Sequence, residues 1–320
     1  MEVALSIVEK LQHQPNSTLS TICFIIITIL CVLINKFTRR NNKFNKLPPS
    51  PPKLPIIGNL HQLGTLPHQS LKALSDKYGP ILLLQLGQTK ALVVSSADIV
   101  EEIVKTHDVA FSNRANTKAA KGKNFDKQKE WAFAELANNP KIMKKVQEEV
   151  RRIVGGKSKI EENDLNQMKY MKCVIKETLR LHPPGPFLIP RETLNSVEIK
   201  GYHIPKKVTV YINLYAIHRD PKLWDNAEEF IPERFEGAQQ VDYKVKDFQL
   251  IPFGFGRRRC PGISFGVASV EYMMANLLCW FDWKVPNNNN SAMIDMSEMS
   301  GLNVTKKQPL YLKPTPYLIC

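Results

Sequence analysis

The residue types best suited to chemistry lie together in residues 251–262, which read IPFGFGRRRCPG. Cys260 stands directly before an apolar run with the character of a helix, and the free N–H groups at a helix N-terminus favour negative charge. The three glycines of the stretch let the backbone approach a flat, bulky group, and the three arginines offer partners for carboxylates. One soft sulfur ligand beside carboxylate-binding arginines is what a haem with a thiolate axial ligand requires.

The other cysteines do not suggest a second metal site. The 320-residue chain has six cysteines, Cys23, Cys31, Cys173, Cys260, Cys279 and Cys320. They form no C-x-x-C pair and have no regular spacing. This distribution supports neither a zinc site nor a disulfide framework. We expect Cys173 and Cys279 to lie in helix cores.

The charge balance points to an acidic partner. The chain has 44 Lys and Arg against 30 Asp and Glu, a net charge of +14. This excess suits an acidic protein or an anionic membrane surface. The basic residues are spread along the chain and no recognition module for nucleic acid is visible, so nucleic acid is not expected as a partner.

The elements that must position the cysteine follow an apolar N-terminus. No Lys, Arg, Asp or Glu occurs between Leu11 and Asn35, about the length that spans a bilayer. Basic residues are frequent after this run, which places everything after Asn35 in the cytosol by the positive-inside rule. A cleaved signal peptide is the alternative, but the charged n-region and the cleavage pattern are missing. Residues 1–35 are therefore predicted to be an uncleaved, single-pass membrane anchor.

Residues 36–58 are basic and rich in proline. Closely spaced prolines favour an extended, semi-rigid spacer, so this segment is predicted to be a hinge after the anchor. A proline-rich ligand for another domain is the alternative interpretation.

The remaining chain predicts an α+β fold that is mainly helical. Residues 59–114 predict helices over 68–78 and 97–105 and a hairpin with strands over 81–86 and 90–95. Residues 115–129 are rich in lysine and predict a solvated join. Residues 130–320 predict helices over 142–154, 164–181 and 263–281, strands over 197–200 and 208–213 around Gly201, and strands near 304 and 310–312. The i,i+4 spacing predicts ion pairs of Lys144 with Glu148 and of Lys145 with Glu149.

Three motifs in this order carry a family resemblance. They are Phe253-x-x-Gly256-x-Arg258-x-Cys260-x-Gly262, Glu177-x-x-Arg180 and Pro232-Glu233-Arg234-Phe235. With the anchor and the proline-rich hinge, they make the chain resemble the cytochrome P-450 haem-thiolate monooxygenases of the plant microsomal type. The resemblance covers nearly all of this chain.

The resemblance implies a haem site. Cys260 is similar to the axial iron ligand, whose thiolate pushes electron density to iron; an inert buried thiol is the alternative. Arg258 resembles the arginine that pairs with a haem propionate. Arg191 resembles a second propionate partner on a strand, with an ordinary surface arginine as the alternative. Phe253 is expected to pack near the sulfur and tune the iron through outer contacts, and Gly256 and Gly262 complete the cofactor loop.

The resemblance also implies supporting residues. Glu177, Arg180 and Arg234 look like the family's structural triad behind the haem, where a buried glutamate between two arginines locks the fold. Arg257 and Arg259, with nearby lysines, resemble a basic face for an acidic electron-donor protein; a solvated face is the alternative.

The chain lacks part of the family pattern. Residues 111–114 resemble the family just before its substrate-facing region, and residues 130–136 resemble the end of its long distal helix. The family's Trp-x-x-x-Arg helix and its acid–Thr pair, which belong between them, are absent from the sequence. The implied fold is therefore a truncated cytochrome P-450 fold with small β-sheets. Oxygen chemistry needs water excluded and protons delivered in order, which the missing part would do.

The resemblance implies a function. The expected activity is insertion of one oxygen atom of O2 into a small lipophilic substrate, such as a plant secondary metabolite. The cofactor would be haem b, and electrons would come from NADPH through NADPH–cytochrome P-450 reductase. The expected location is the endoplasmic reticulum membrane, with the globular part in the cytosol. A catalytically inactive, membrane-anchored remnant that binds haem or a partner is the alternative.

Overall fold

A computed structural model describes residues 21–30, 46–115, 128–237, 241–243, 247–286, 293–301 and 303–317. The chain divides into two units, Met1–Leu47 and Pro48–Cys320. The first unit contains the apolar helix Thr21–Leu30, whose side chains are exposed. The rest of the predicted anchor, most of the basic part of the hinge and most of the lysine-rich join lie outside the described residues.

The second unit begins with the proline-rich segment. The Leu83 N–H donates to the Pro49 carbonyl at 2.9 Å, and Asn59 Nδ2 donates to the Pro51 carbonyl at 3.3 Å. From Pro48 onward the chain therefore packs on the globular unit. The role of residues 36–58 as a hinge stays a prediction.

Eight α-helices are described in the second unit. They are α1 Pro67–Tyr78, α2 Ala97–His107, α3 Gln128–Asn138, α4 Pro140–Val154, α5 Glu162–Gln167, α6 Lys169–Leu181, α7 Leu214–Ile217 and α8 Ile263–Trp280. The largest apolar core lies among α3, α4, α6 and α8, and it includes the buried Cys173 and Cys279 as expected. Within the described residues, α8 is the helix long and apolar enough to cross a bilayer. About a third of this helix is buried, and that buried side packs in the same core.

The strands in the described part of the chain form one five-stranded sheet and three two-stranded sheets. They are β1 Ile81–Leu86, β2 Thr89–Val94, β3 Asn113–Arg114, β4 Arg191–Glu192, β5 Val197–Ile199, β6 Tyr202–Ile204, β7 Thr209–Ile212, β8 Phe281–Lys284, β9 Glu298–Met299, β10 Thr305–Lys306 and β11 Lys313–Pro316. The large sheet has the order β1-β2-β7-β4-β3, and only its β2–β7 pair is parallel. The fold is thus mainly helical with small sheets, as expected.

The predicted helix over 164–181 is wrong in one respect, because it is two helices. The chain leaves helical geometry at Met168, with φ −77° and ψ 73°. The carboxylate of Glu149 on α4 accepts the N–H groups of Tyr170 and Met171, both at 2.9 Å. This cap satisfies free donors at the start of α6 and lets a new helix begin there. Glu149 is therefore not the partner predicted for Lys145.

Two further differences concern partners. Lys145 Nζ instead contacts Glu233 at 2.9 Å and Glu236 at 3.3 Å. The strand predicted over 197–200 pairs with β6 around Lys200 and Gly201, not with the strand over 208–213. The latter is β7, which joins the large sheet beside β2 and β4. The strands near 304 and 310–312 are observed slightly later, as β10 and β11.

Candidate functional site

The cysteine lies on a loop that returns on itself before α8. The Gly254 N–H donates to the Ile251 carbonyl and the Cys260 N–H donates to the Phe253 carbonyl, both at 2.9 Å. Cys260 is a half-buried free thiol. It lies two residues before Gly262, and α8 begins at the next residue, Ile263. These backbone bonds hold the backbone of Cys260 close to that of Phe253, and packing of the Phe253 ring near the sulfur stays a prediction.

Gly256 brings this loop against the end of α2. Its φ of 60° lies in the left-handed region, and a Cβ built there would stand 2.2 Å from Asp108 Oδ1. The Asp108 carboxylate accepts the Arg257 N–H, with a distance of 3.1 Å to Oδ2. Only glycine allows this close approach of loop and carboxylate.

A cavity of about 260 Å³ opens beside Cys260. Its wall combines three kinds of group: the Cys260 thiol, apolar side chains and three arginines. The apolar side chains include Pro184, Leu188, Ile189 and Phe253, and the arginines are Arg114, Arg191 and Arg258. No threonine, aspartate or glutamate is among the described residues that line it.

Arg191 is a buried cation that is incompletely satisfied. Its side chain belongs to β4, only 4% of the residue is exposed, and Nη2 donates to the Phe255 carbonyl at 2.8 Å. Nη1 is buried without a hydrogen-bond partner in the described part of the chain. Burial lowers the pKa of Arg191 to about 10, so the side chain remains charged at neutral pH. The alternative of an ordinary surface arginine is therefore wrong.

Two more arginines add positive charge to the same cavity. Arg114 on β3 stands directly opposite Arg191 in the antiparallel register, and like charges so placed destabilise a sheet. Arg258 Nε donates to the Ser112 carbonyl at 2.7 Å. An anion in the cavity would satisfy the free Nη1 and relieve the repulsion between Arg114 and Arg191.

Arg114 was not among the predicted site residues. The four-residue segment around it resembled the family, but its position opposite Arg191 depends on the pairing of β3 with β4. That pairing joins parts of the chain far apart in sequence and leaves no local pattern.

The other two arginines of the cysteine loop, Arg257 and Arg259, do not line the cavity. Arg257 is an exposed side chain whose Nε lies 3.6 Å from Asp108 Oδ2. Arg259 is half-buried and donates from Nη2 to the Tyr243 carbonyl. Their suggested role as a basic face for an electron donor stays a prediction.

The structure brings together the three residues of the predicted triad. Glu177 and Arg180 are fully buried and form two hydrogen bonds, Nε to Oε2 at 2.7 Å and Nη2 to Oε1 at 2.8 Å. Arg234 Nε donates to Glu177 Oε1 at 3.0 Å. Arg180 Nη1 also donates to the carbonyls of His218 and Ala227, each at 2.7 Å. A buried charge group with this many partners ties α6 to the loops that lead to the cysteine.

His218 joins this group, although no motif singled it out. It is fully buried, and its Nε2 accepts the Ile251 N–H at 3.2 Å. The neutral ring must then carry its proton on Nδ1, which faces the Arg180 carbonyl at 3.1 Å. Burial, together with the charge of Arg180, lowers the pKa of His218 to about 3.

The cavity has the groups that a thiolate-ligated haem requires. A soft sulfur stands beside apolar walls, and the unpartnered Nη1 of Arg191 lies among further guanidinium groups that could bind propionates. Its volume of about 260 Å³ is slightly below the range of about 300–1,000 Å³ usual for small-molecule sites. The described residues that line the cavity therefore fit the sulfur and propionate contacts of a haem.

Comparison with known proteins gives a family match in two pieces. The model of the cytochrome P-450 family matches residues 48–130 and 129–314. The two pieces meet at the end of the lysine-rich join.

Individual relatives are plant proteins. Phenylacetaldehyde oxime monooxygenase CYP71AN24 of Prunus mume is 57% identical over 189 residues, which cover 58% of this chain and 36% of the relative. Desmethylyatein synthase of Sinopodophyllum hexandrum is 54% identical over 185 residues, which cover 58% of this chain and 37% of the relative. These alignments thus span little more than a third of each relative's length.

A third relative aligns from end to end. Strychnine-11-hydroxylase of Strychnos nux-vomica is 31% identical over 493 aligned positions, covering 93% of this chain and 97% of the relative. Because the alignment is longer than the 320-residue chain, it must open long gaps in this chain. Such gaps fit a chain in which part of the family pattern is missing.

Proposed function

Because the chain belongs to the cytochrome P-450 family, we propose that it is a haem-thiolate monooxygenase with Cys260 as the axial iron ligand. The observation that carries this proposal is the cavity that Cys260 lines together with three arginines, one of which has an unpartnered buried donor. A bound haem with a thiolate ligand supplies the activation of dioxygen.

The chain's own residues bind and orient the cofactor. Arg191 and Arg258, joined by Arg114, would hold the propionates through charge-assisted hydrogen bonds. Phe253 would pack at the sulfur. The bond from the Cys260 N–H to the Phe253 carbonyl, at 2.9 Å, holds the ligand in place.

The supporting elements keep this arrangement rigid. Glu177, Arg180 and Arg234 connect α6 to the segment before the cysteine loop. Gly256 lets the loop contact Asp108 closely, and Gly262 is the residue directly before α8. Preorganised contacts of this kind fix the position of a metal ligand and the polarity around it.

The proposed substrate is a small lipophilic molecule of plant secondary metabolism. The relatives named for an aldehyde oxime, desmethylyatein and strychnine support this class. Electrons would come from NADPH through NADPH–cytochrome P-450 reductase, and the apolar residues 1–35 would anchor the protein in the endoplasmic reticulum membrane.

A second candidate function is an anchored haem-binding remnant without oxygenase activity. The described residues that line the cavity include no threonine and no carboxylate, which favours this candidate. The match to the family model also falls into two pieces that meet at residues 129–130. Without ordered proton delivery and exclusion of water, reduced oxygen would leave as peroxide or water.

One experiment separates the two functions. The full chain is reconstituted with haem, reductase and lipid, and NADPH consumption, peroxide and oxidised product are measured with phenylacetaldehyde oxime and other lipophilic test substrates. A monooxygenase forms product in wild type and none in Cys260→Ser. Peroxide release or NADPH consumption without product in wild type contradicts oxygenase activity and supports the remnant.

A further inference from the structure

The cysteine loop is connected to the buried triad through His218. Ile251, the first residue of the loop, is 5% exposed, and its N–H donates to His218 Nε2 at 3.2 Å. The Ile251 carbonyl in turn accepts the Gly254 N–H at 2.9 Å. The Phe253 carbonyl then accepts the Cys260 N–H at 2.9 Å. The loop that presents the sulfur is thus anchored, at its start, on one histidine ring.

The other side of the same histidine is fixed on α6. His218 Nδ1 faces the Arg180 carbonyl at 3.1 Å, and Arg180 Nη1 donates to the His218 carbonyl at 2.7 Å. His218 also donates its backbone N–H to the Leu214 carbonyl at 2.8 Å. Because Arg180 is itself held by Glu177 through two hydrogen bonds, the ring cannot turn without breaking a buried contact.

The ring has the right chemistry for this position. Its two nitrogens face one acceptor and one donor, so a neutral imidazole with the proton on Nδ1 satisfies both. An apolar ring of similar shape would leave the Ile251 N–H and the Arg180 carbonyl without these partners. Buried polar groups of that kind tend to move towards water or towards new partners.

We propose that His218 is a positioning residue for the iron ligand, which sets the position of the cysteine loop relative to the Glu177–Arg180 pair. Through the loop it holds the Cys260 sulfur at a defined place beside Arg191 and Arg258. The positioning of an iron ligand rests on the proposed haem-thiolate function. The contacts that connect His218 to Cys260 are present in the protein without haem.

The first test uses the full chain without haem. Hydrogen exchange is measured at the amides of Ile251, Gly254 and Cys260 in wild type, His218→Phe and His218→Gln. Loss of one net hydrogen bond predicts exchange about tenfold faster at these amides in His218→Phe. His218→Gln, whose carbonyl oxygen can accept the Ile251 N–H, restores most of the protection.

His68→Phe is the matched control. His68 is also buried, at 1% exposure, but its ring contacts Glu298 at 2.7 Å and no residue of the cysteine loop. It is expected to lower overall stability without selective loss of protection at Cys260. Equal exchange at Cys260 in His218→Phe and wild type, or equal changes in His218→Phe and His68→Phe, would overturn the proposal.

The second test uses the chain reconstituted with haem. We expect the carbon monoxide complex of His218→Phe to lose part of the long-wavelength Soret band of thiolate ligation, and His218→Gln and His68→Phe to retain it. An unchanged band in His218→Phe contradicts a positioning role. Absence of the band in every variant, wild type included, counts against the proposed function, while the exchange measurement still decides whether His218 positions the loop.

Discussion

At the scale of single residues, the site is marked by three arginines with no carboxylate among the described residues that line the cavity. Arg191 is buried with one free donor, and Arg114 stands opposite it. In the protein without ligand, such a charge lowers stability because it has lost water without gaining a full set of partners. A bound anion removes that cost, so residues that are unfavourable in the empty protein become favourable in the loaded one.

Arg191→Met tests this reasoning. We expect the free energy of unfolding of the haem-free chain to stay the same or rise, because a desolvated charge is removed. Haem affinity should fall about tenfold to a hundredfold, since a charge-assisted hydrogen bond is worth about 1.5–3 kcal/mol. Urea unfolding and haem titration provide the two measurements.

Arg219→Met is the control for that variant. Arg219 is 6% exposed and, like Arg191, has a buried Nη1 without a hydrogen-bond partner among the described residues. It does not line the cavity, its Nε pairs with Glu228 at 3.0 Å, and its Nη2 donates to the Leu181 carbonyl at 2.6 Å. Its loss should lower stability and leave haem affinity nearly unchanged. A haem affinity of Arg191→Met equal to wild type, with lowered stability, contradicts the assignment of Arg191.

The buried His218 predicts a pH dependence of stability. Burial and the charge of Arg180 lower its pKa from 6.5 to about 3. The unfolded chain therefore binds more protons between these values, so the stability contribution is complete above pH 6.5 and is lost as pH falls. Between pH 6.5 and about pH 4.5 the loss amounts to about 2 kcal/mol.

Urea unfolding of wild type and His218→Phe across this pH range measures the effect. Other groups, including His182, whose burial also lowers its pKa, titrate alike in both proteins and cancel in the comparison. The variant should show the flatter dependence on pH. Identical slopes for the two proteins would mean that His218 takes up protons freely in the folded state.

At the scale of elements, close approach of loop and helix shapes the site. Gly256 allows the cysteine loop to meet Asp108 after α2, where a Cβ would lie 2.2 Å from a carboxylate oxygen. The Asp108 carboxylate then holds the Arg257 N–H. The contact joins the five-stranded sheet region to the loop that carries the sulfur.

Gly256→Ala is expected to lower stability and haem affinity together. Gly201→Ala is its control, because Gly201 also has positive φ, at 72°, but nothing lies within 4 Å of an added Cβ. Gly201→Ala should cost about 1–2 kcal/mol for left-handed backbone alone and leave haem affinity unchanged. Equal effects of the two substitutions on stability and on haem affinity would show that the contact with Asp108 has no consequence.

Local elements were predictable from the sequence, and distant pairings were not. The hairpin β1–β2 and helices α1 and α2 follow from periodicity and from turn residues next to them. The division of the predicted helix at Met168 depends on Glu149, which is 21 residues away from Tyr170 in sequence. The partners of β7 likewise come from distant segments. Elements whose ends or neighbours are set by tertiary contacts carry no local signal.

The site residues also divide into those that a local motif predicts and those that depend on distant contacts. The motifs identified Cys260 and the triad residues that the structure brings together at Glu177. Arg114 and His218 were missed because their roles arise from a strand register and from one buried ring between two distant backbones.

At the scale of the whole molecule, the family match covers most of the globular unit in two pieces, residues 48–130 and 129–314. The two matched pieces meet at residues 129–130. Strychnine-11-hydroxylase, which aligns over nearly its whole length, does so only with long gaps in this chain. The cavity beside Cys260 would cover part of a haem. We therefore expect the chain to bind haem more weakly, and to protect it less from water, than a relative of full length.

The most direct test of the central claim is the carbon monoxide difference spectrum of the haem-reconstituted full chain. We predict the long-wavelength Soret band of a thiolate-ligated haem in wild type and in Cys279→Ser, which alters a buried cysteine away from the cavity. The same band should be lost in Cys260→Ser. A wild-type spectrum without the thiolate band, in protein shown to be folded and loaded with haem, or a Cys260→Ser spectrum that retains it, would contradict Cys260 as the iron ligand.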